Sequence, residues 1–92
     1  MTQLTQRVQI INKLGLHARA AAKFVGVAKQ HDCDVRVGAS EQQLVDGKSI
    51  MQVMMLAASK GSEICIRCEG AQAEQAMEDL VGLVNDYFGE GE

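Results

Sequence analysis

The chain has 92 residues, of which 47% are hydrophobic and 23% charged, and its formal net charge is −3. This length supports a single domain over residues 1–92, and the acidic balance argues against a nucleic acid partner, which needs a basic stripe to neutralise its phosphates. No apolar run approaches the roughly 18 residues that a membrane helix needs, and no signal-peptide pattern opens the chain. We therefore expect a cytoplasmic protein with no membrane partner, and the odd number of cysteines (three) fits a reducing compartment.

Hydrophobic periodicity predicts seven elements in the order β-α-β-β-α-β-α. We expect strands at 5–12, 33–37, 42–45 and 63–69, a helix from an N-cap at 17 to about 30, and further helices at 49–59 and 71–88. Each strand has one apolar face and most of the helices have one apolar stripe. This pattern predicts two packed layers, a sheet against helices.

The first loop carries the most informative run of the chain, residues 15–22, which joins the first strand to the first helix. His17 falls at the helix N-cap, where Ser, Thr, Asp or Asn is usual and His is a poor structural choice. The free N–H groups of the first helical turn favour anions, and Arg19 adds a fork of donors suited to phosphate. Together these residues predict a histidine that accepts a phosphoryl group.

Ser49 supports two interpretations. Ser49 followed by Gln52 has the form of a capping box, which alone explains the serine. A regulatory phosphoryl group would also be tolerated there, because a helix N-terminus stabilises anions.

The helix predicted at 49–59 is apolar almost all round. If one side of it, made of Ile50, Val53, Met54 and Ala57, faces the sheet, Met51 and Met55 face water and suit an adaptable protein-binding surface. The alternative is that this helix is more deeply buried. Leu14 and Leu16 flank His17 and are expected to form an apolar docking rim beside it, although one of them could instead pack into the core.

The spacing of Cys65 and Cys68 raises the question of a metal or redox pair. Both lie in a predicted strand, where side chains three residues apart point to opposite faces, so they cannot share a metal ion. We expect structural cysteines, no metal site and no cofactor.

Two stretches, 15–22 and 48–57, resemble the two signatures of the HPr family, the histidine phosphocarriers of bacterial phosphotransferase systems. The resemblance implies an α+β fold, an open-faced β-sandwich in which three helices cover one face of a four-stranded antiparallel sheet. It implies a carrier, not an independent enzyme, in which His17 takes a phosphoryl group on Nδ1 from enzyme I and passes it to an enzyme IIA. Arg19 would neutralise that group, and Ile50 and Met51 would belong to the docking surface.

Within the family, the run 12–20 is most similar to the nitrogen-related branch, NPr, which implies nitrogen-branch enzyme I and enzyme IIA as partners of a monomer. Ser49 matches the serine that a dedicated kinase, HPr kinase, phosphorylates in some bacteria. Ala20 stands where the family usually has proline, which leaves the first helical turn less rigid. The competing hypothesis is a regulatory interaction protein that is controlled by phosphorylation of Ser49 and relays no phosphoryl group.

Overall fold

The computed structural model describes residues 2–92, which form four strands, three α-helices and a final 3₁₀ turn. In chain order these are β1 (Gln3–Gln9), α1 (Ala18–Ala28), β2 (Asp34–Gly38), β3 (Leu44–Asp46), α2 (Ile50–Met54), β4 (Glu63–Glu69), α3 (Ala73–Asn85) and the turn Tyr87–Gly89. The predicted order of strands and helices is confirmed. None of the helices in this part of the chain is long and apolar enough to span a membrane.

The strands form one antiparallel sheet in the order β1-β4-β2-β3. The last strand in the chain, β4, therefore lies between β1 and β2, and its register places Ile64 opposite Val8 and Cys68 opposite both Leu4 and Val35. Side chains alternate across these strands, so one face of each strand joins the core. The predicted four-stranded antiparallel sheet is confirmed.

The core lies between this face of the sheet and the three helices. It is built mainly from aliphatic residues, as a sequence with three aromatic residues requires. The largest fully buried apolar side chains are Phe24, Phe88, Ile10, Ile64, Ile66, Leu80, Val35, Val37, Val53 and Val84. Burying such side chains contributes about 1.5–3 kcal/mol each, which anchors α1 and α3 and thereby fixes the loop that precedes α1.

The second helix departs from the sequence prediction. It ends at Met54 and not at residue 59, because Ala57 has a φ of 51°, a left-handed conformation that does not continue a helix. Its side chains are also less buried than expected: Val53 is fully buried, whereas Ile50 and Met54 are 43% and 39% exposed. The alternative of a more deeply buried helix is therefore wrong.

Several other boundaries differ from the prediction. The structure places β1 at 3–9 instead of 5–12 and β3 at 44–46 instead of 42–45. The third helix stops at Asn85, three residues early, because Tyr87 and Phe88 have φ values of 57° and 52°. These two residues turn the chain back toward the start of α1, which determines what lies beside His17.

Candidate functional site

His17 is the N-cap of α1, as its position in the sequence predicts. Its backbone is extended, with φ of −78° and ψ of −178°, and its carbonyl oxygen accepts the first helical hydrogen bond, from Ala21 N at 2.8 Å. The ring itself completes the cap, because Nδ1 accepts a hydrogen bond from the backbone N–H of Arg19 at 3.3 Å. The imidazole thus does what a Ser or Asp oxygen usually does, and Nδ1 carries no proton in this arrangement.

The other ring nitrogen of His17, Nε2, contacts a carboxylate oxygen of Glu90. The second oxygen of Glu90 accepts a hydrogen bond from Asn12 Nδ2 at 2.9 Å, and the same Nδ2 donates to the carbonyl of Gly15 at 2.8 Å. Burial raises the pKa of the Glu90 carboxyl, but the hydrogen bonds from Asn12 and His17 and the charge of Lys23 outweigh that effect and lower it. Glu90 is therefore ionised at neutral pH.

Sequence reasoning missed both Asn12 and Glu90. Among residues 2–92, Asn12 is the one polar residue whose side chain is fully buried. Its position directly after an apolar strand could have indicated a buried polar side chain near the first loop. Glu90 gave no signal, since it lies 73 residues from its partner His17. Its position depends on the left-handed turn that follows α3.

That turn is anchored by Phe88. Its side chain is fully buried although its φ is 52°, and its carbonyl accepts a hydrogen bond from Lys23 Nζ at 2.6 Å. Positive φ at a bulky residue is rare and costs about 1–3 kcal/mol, so it persists only where other contacts fix it. The segment that carries Glu90 is thereby fixed against α1.

The surface next to this segment has a small excess of positive charge. An open groove of about 520 Å³ is lined by three cationic side chains, Lys13, Arg19 and Lys23, and by two carboxylates, Glu90 and Glu92. Arg19 is exposed, and among residues 2–92 no carboxylate lies within ion-pair distance of its guanidinium. The guanidinium, the two ammonium groups and the start of α1 together favour an anion at this point.

Exposed apolar side chains lie in the loop before α1 and on the neighbouring helix α2. Leu14 is 67% exposed, and on α2 Met51 and Met55 are 68% and 78% exposed. The loop before α1 is joined to the chain after α2 by a hydrogen bond from Leu16 N to Ala58 O at 2.8 Å, and α1 packs against α2. These exposed side chains therefore border the region of His17.

The prediction that Leu16 belongs to the docking surface is wrong. It is only 3% exposed and belongs to the core cluster. Gly15, with a φ of 68°, turns the chain so that Leu16 points inward while Leu14 stays outside.

Ser49 is the N-cap of α2, and its Oγ accepts a hydrogen bond from Gln52 N at 3.3 Å. The second half of the predicted capping box is absent, because Gln52 Oε1 accepts from Asp46 N at 3.0 Å and not from Ser49 N. The half-exposed Ser49 thus has a structural role at the edge of the exposed methionines.

Cys65 and Cys68 lie where the strand pattern predicts, whereas Cys33 precedes β2 and is half-exposed. Cys68 joins the core cluster with Ile64 and Ile66, whereas Cys65 occupies the alternate position of β4. Burial raises the pKa of Cys68 to about 12, as expected of an unreactive core thiol. Residues 2–92 contain no group of three or more His, Cys, Asp or Glu side chains arranged to hold a metal ion.

Comparison with known proteins matches this arrangement to one family. The family model described as "PTS HPr component phosphorylation site" matches residues 4–86. The phosphocarrier protein HPr of Pseudomonas aeruginosa is 60% identical over 85 residues, which cover 92% of this chain and 94% of the relative. The phosphocarrier protein NPr of Shewanella violacea is 34% identical over 90 residues, 98% of each chain.

Solved structures agree. The crystal structure of HPr-C-His from Thermoanaerobacter tengcongensis superimposes with a TM-score of 0.85 at 39% identity, covering 98% of both chains. The fold and these matches define a phosphocarrier of a phosphotransferase system, a protein that is not an enzyme in its own right. The chain belongs to the HPr family.

Proposed function

We propose that His17 is the phosphoryl acceptor and donor of this carrier, taking the group from phosphorylated enzyme I and passing it to an enzyme IIA. One observation carries the proposal: Nδ1 of His17 accepts a hydrogen bond from the backbone N–H of Arg19 in the first turn of α1, so its lone pair lies at the helix N-terminus. The exposed side chain of Arg19 lines the adjoining groove with Lys13 and Lys23. A nucleophilic nitrogen therefore lies at the start of a helix whose first turn also carries an anion-binding side chain.

The chemistry follows from this geometry. The lone pair of Nδ1 attacks the phosphorus of the donor's phosphohistidine, a new N–P bond forms, and the donor's N–P bond breaks. The Arg19 N–H that capped Nδ1 is released and becomes available to a phosphoryl oxygen. Such transfer depends mainly on positioning and electrostatics, which the partner's site completes, so a small carrier needs no enclosed substrate pocket.

Docking would use the exposed apolar side chains around His17. Leu14, Ile50, Met51 and Met55 supply this surface, and methionine side chains adapt to more than one partner. An enzyme I and an enzyme IIA must each contact the same histidine, so such adaptability suits a relay. Met51→Glu is expected to raise KM for enzyme I with little change in the melting temperature, because Met51 is exposed.

The nitrogen branch is the finer part of the proposal. The run 12–20 favours it, whereas the relative with the higher identity, from Pseudomonas aeruginosa, is named HPr. Parallel reactions with nitrogen-branch and sugar-branch enzyme I decide between them, since the cognate donor reacts faster.

The relay itself is tested with phosphoenolpyruvate and enzyme I, read by intact mass. A single acid-labile phosphoryl group is expected on the wild type and on His31→Gln, and none on His17→Ala. His31 is the matched control because it is the other histidine of the chain. Absence of the adduct from the wild type with both donors, or its presence on His17→Ala, would contradict the proposal.

Ser49 supports the second candidate, a partner-binding regulator controlled by a kinase. The observation in its favour is that Ser49 caps α2 beside the exposed methionines, where an added phosphate would place negative charge on an apolar docking surface. This candidate predicts that Ser49→Asp alters partner binding while His17→Ala does not. If the His17→Ala variant still controls its partners, the regulator is favoured over the relay.

Gel filtration of the same preparations tests the expectation that the protein is a monomer.

A further inference from the structure

We propose that Glu90 is a positioning residue that fixes the tautomer of His17, holding the proton on Nε2 and leaving Nδ1 free to react. The inference rests on the proposed relay through His17 and adds a residue to it. It comes from the contact between the Glu90 carboxylate and Nε2, which the first-loop sequence pattern does not contain.

Two hydrogen bonds specify the same tautomer. A carboxylate is only an acceptor, so the ring nitrogen that contacts Glu90 must carry a proton. The ring nitrogen that accepts the Arg19 N–H must carry none. The proton therefore belongs on Nε2, and each bond reinforces the other because the two nitrogens of a neutral imidazole share one proton.

Glu90 is held in place by more than this contact. Its second carboxylate oxygen accepts from Asn12, which is completely buried and tied to Gly15. The segment behind it is fixed by the buried Phe88 and by the bond from Lys23 to the Phe88 carbonyl. A backbone with two consecutive aromatic residues at positive φ is maintained by these contacts, and such conformations concentrate at functional sites.

This tautomer keeps the imidazole proton on Nε2 throughout transfer of the phosphoryl group. When Nδ1 forms its bond to phosphorus, the ring retains the Nε2 proton and gains a positive charge, which the Glu90 carboxylate neutralises. When the phosphoryl group leaves, the electron pair of the N–P bond returns to Nδ1 and the charge disappears. No proton has to enter or leave in either direction, whereas the other tautomer would present a protonated Nδ1 that cannot attack.

The experiment compares Glu90→Ala, which removes the acceptor, with Glu90→Gln, whose amide oxygen accepts from Nε2–H without a charge. Glu78→Ala is the control, because it removes the same charge from an exposed position of α3. ¹⁵N NMR of the imidazole in the unphosphorylated protein reports the tautomer directly, and the rate of phosphorylation by enzyme I is measured on the same samples. Melting temperatures show that each variant is folded.

We expect the wild type, Glu78→Ala and Glu90→Gln to keep the proton on Nε2, and Glu90→Ala to populate both tautomers. The phosphorylation rate is expected to fall about tenfold in Glu90→Ala, the lower end of the loss seen when the partner that orients a metal-ligating imidazole is removed, and less in Glu90→Gln. An unchanged nitrogen spectrum in Glu90→Ala would overturn the assignment. A changed spectrum with an unchanged rate would overturn its role in transfer. Because the spectrum needs no phosphoryl donor, failure of the relay itself would be seen separately.

Discussion

Ala57 provides a direct test of the backbone that ends α2. Its φ of 51° places a Cβ in the left-handed region, which costs about 1–2 kcal/mol for an L-residue other than glycine. Ala57→Gly removes that cost, while the added freedom of glycine in the unfolded chain opposes it by about 0.4–1 kcal/mol. We therefore expect the free energy of unfolding to rise by about 0.8 kcal/mol from these two terms.

The matched control is Ala22→Gly. Ala22 is also exposed but lies inside α1, where glycine is about 0.8–1 kcal/mol less favourable than alanine. The same chemical change is thus expected to have opposite signs at the two positions. With an unfolding entropy of about 2.1 cal/mol/K per residue, 92 residues give roughly 0.19 kcal/mol/K. The melting temperature should therefore rise by about 4 °C for Ala57→Gly and fall by about 5 °C for Ala22→Gly.

Both variants are measured by thermal and urea unfolding monitored by circular dichroism. If Ala57→Gly destabilises the protein as much as Ala22→Gly does, the chain after Met54 does not adopt the left-handed turn. The shortened α2 would then be wrong, and the original prediction of a helix to residue 59 would be restored.

Three further predictions concern other side chains. Ser49→Ala should lower the free energy of unfolding by about 1 kcal/mol through loss of the α2 cap, whereas Ser40→Ala, which removes no cap, should not. Alkylation of the native protein, read by mass spectrometry, should modify Cys33 first, because Cys33 is half-exposed and the other two thiols are buried. Burial also raises the pKa of Cys68 to about 12, which makes that thiol unreactive. Equal labelling of all three cysteines would contradict the packing. The folded pKa of Glu90 lies below the usual value of about 4.3, so its contribution to stability is complete above that pH and is lost as the pH falls through the lower folded value. Urea unfolding should accordingly show the wild type losing its advantage over Glu90→Gln below about pH 4, and a constant difference down to pH 2 would refute it.

The sequence predicted the features that depend on local pattern. The alternation of apolar and polar residues predicted the observed bounds of β4 and placed Cys65 and Cys68 on opposite faces of it. The predicted N-cap position placed His17 at the start of α1. The order of elements followed from periodicity alone. These signals are local because each depends on residues within a few positions of one another.

What the sequence could not supply depends on backbone turns and on distant contacts. Leu14 and Leu16 look alike in sequence, and only the φ of Gly15 decides which of them is buried. The end of α2 is set by an alanine in a conformation that alanine rarely adopts, so composition gave no warning. Glu90 reaches His17 only because two aromatic residues reverse the chain after α3.

The order of strands in the sheet also bears on how the chain is made. β4 is the last strand to be synthesised, yet it supplies the hydrogen-bonding partner of β1 and the inner partner of β2. In a growing chain that has not reached residue 63, β1 has no neighbouring strand to pair with. Within residues 2–62, the only pairing found in the finished sheet is the hairpin of β2 and β3. The sheet must therefore close across more than fifty residues in one late step, which favours slow folding and leaves β1 exposed to unwanted pairing until β4 arrives.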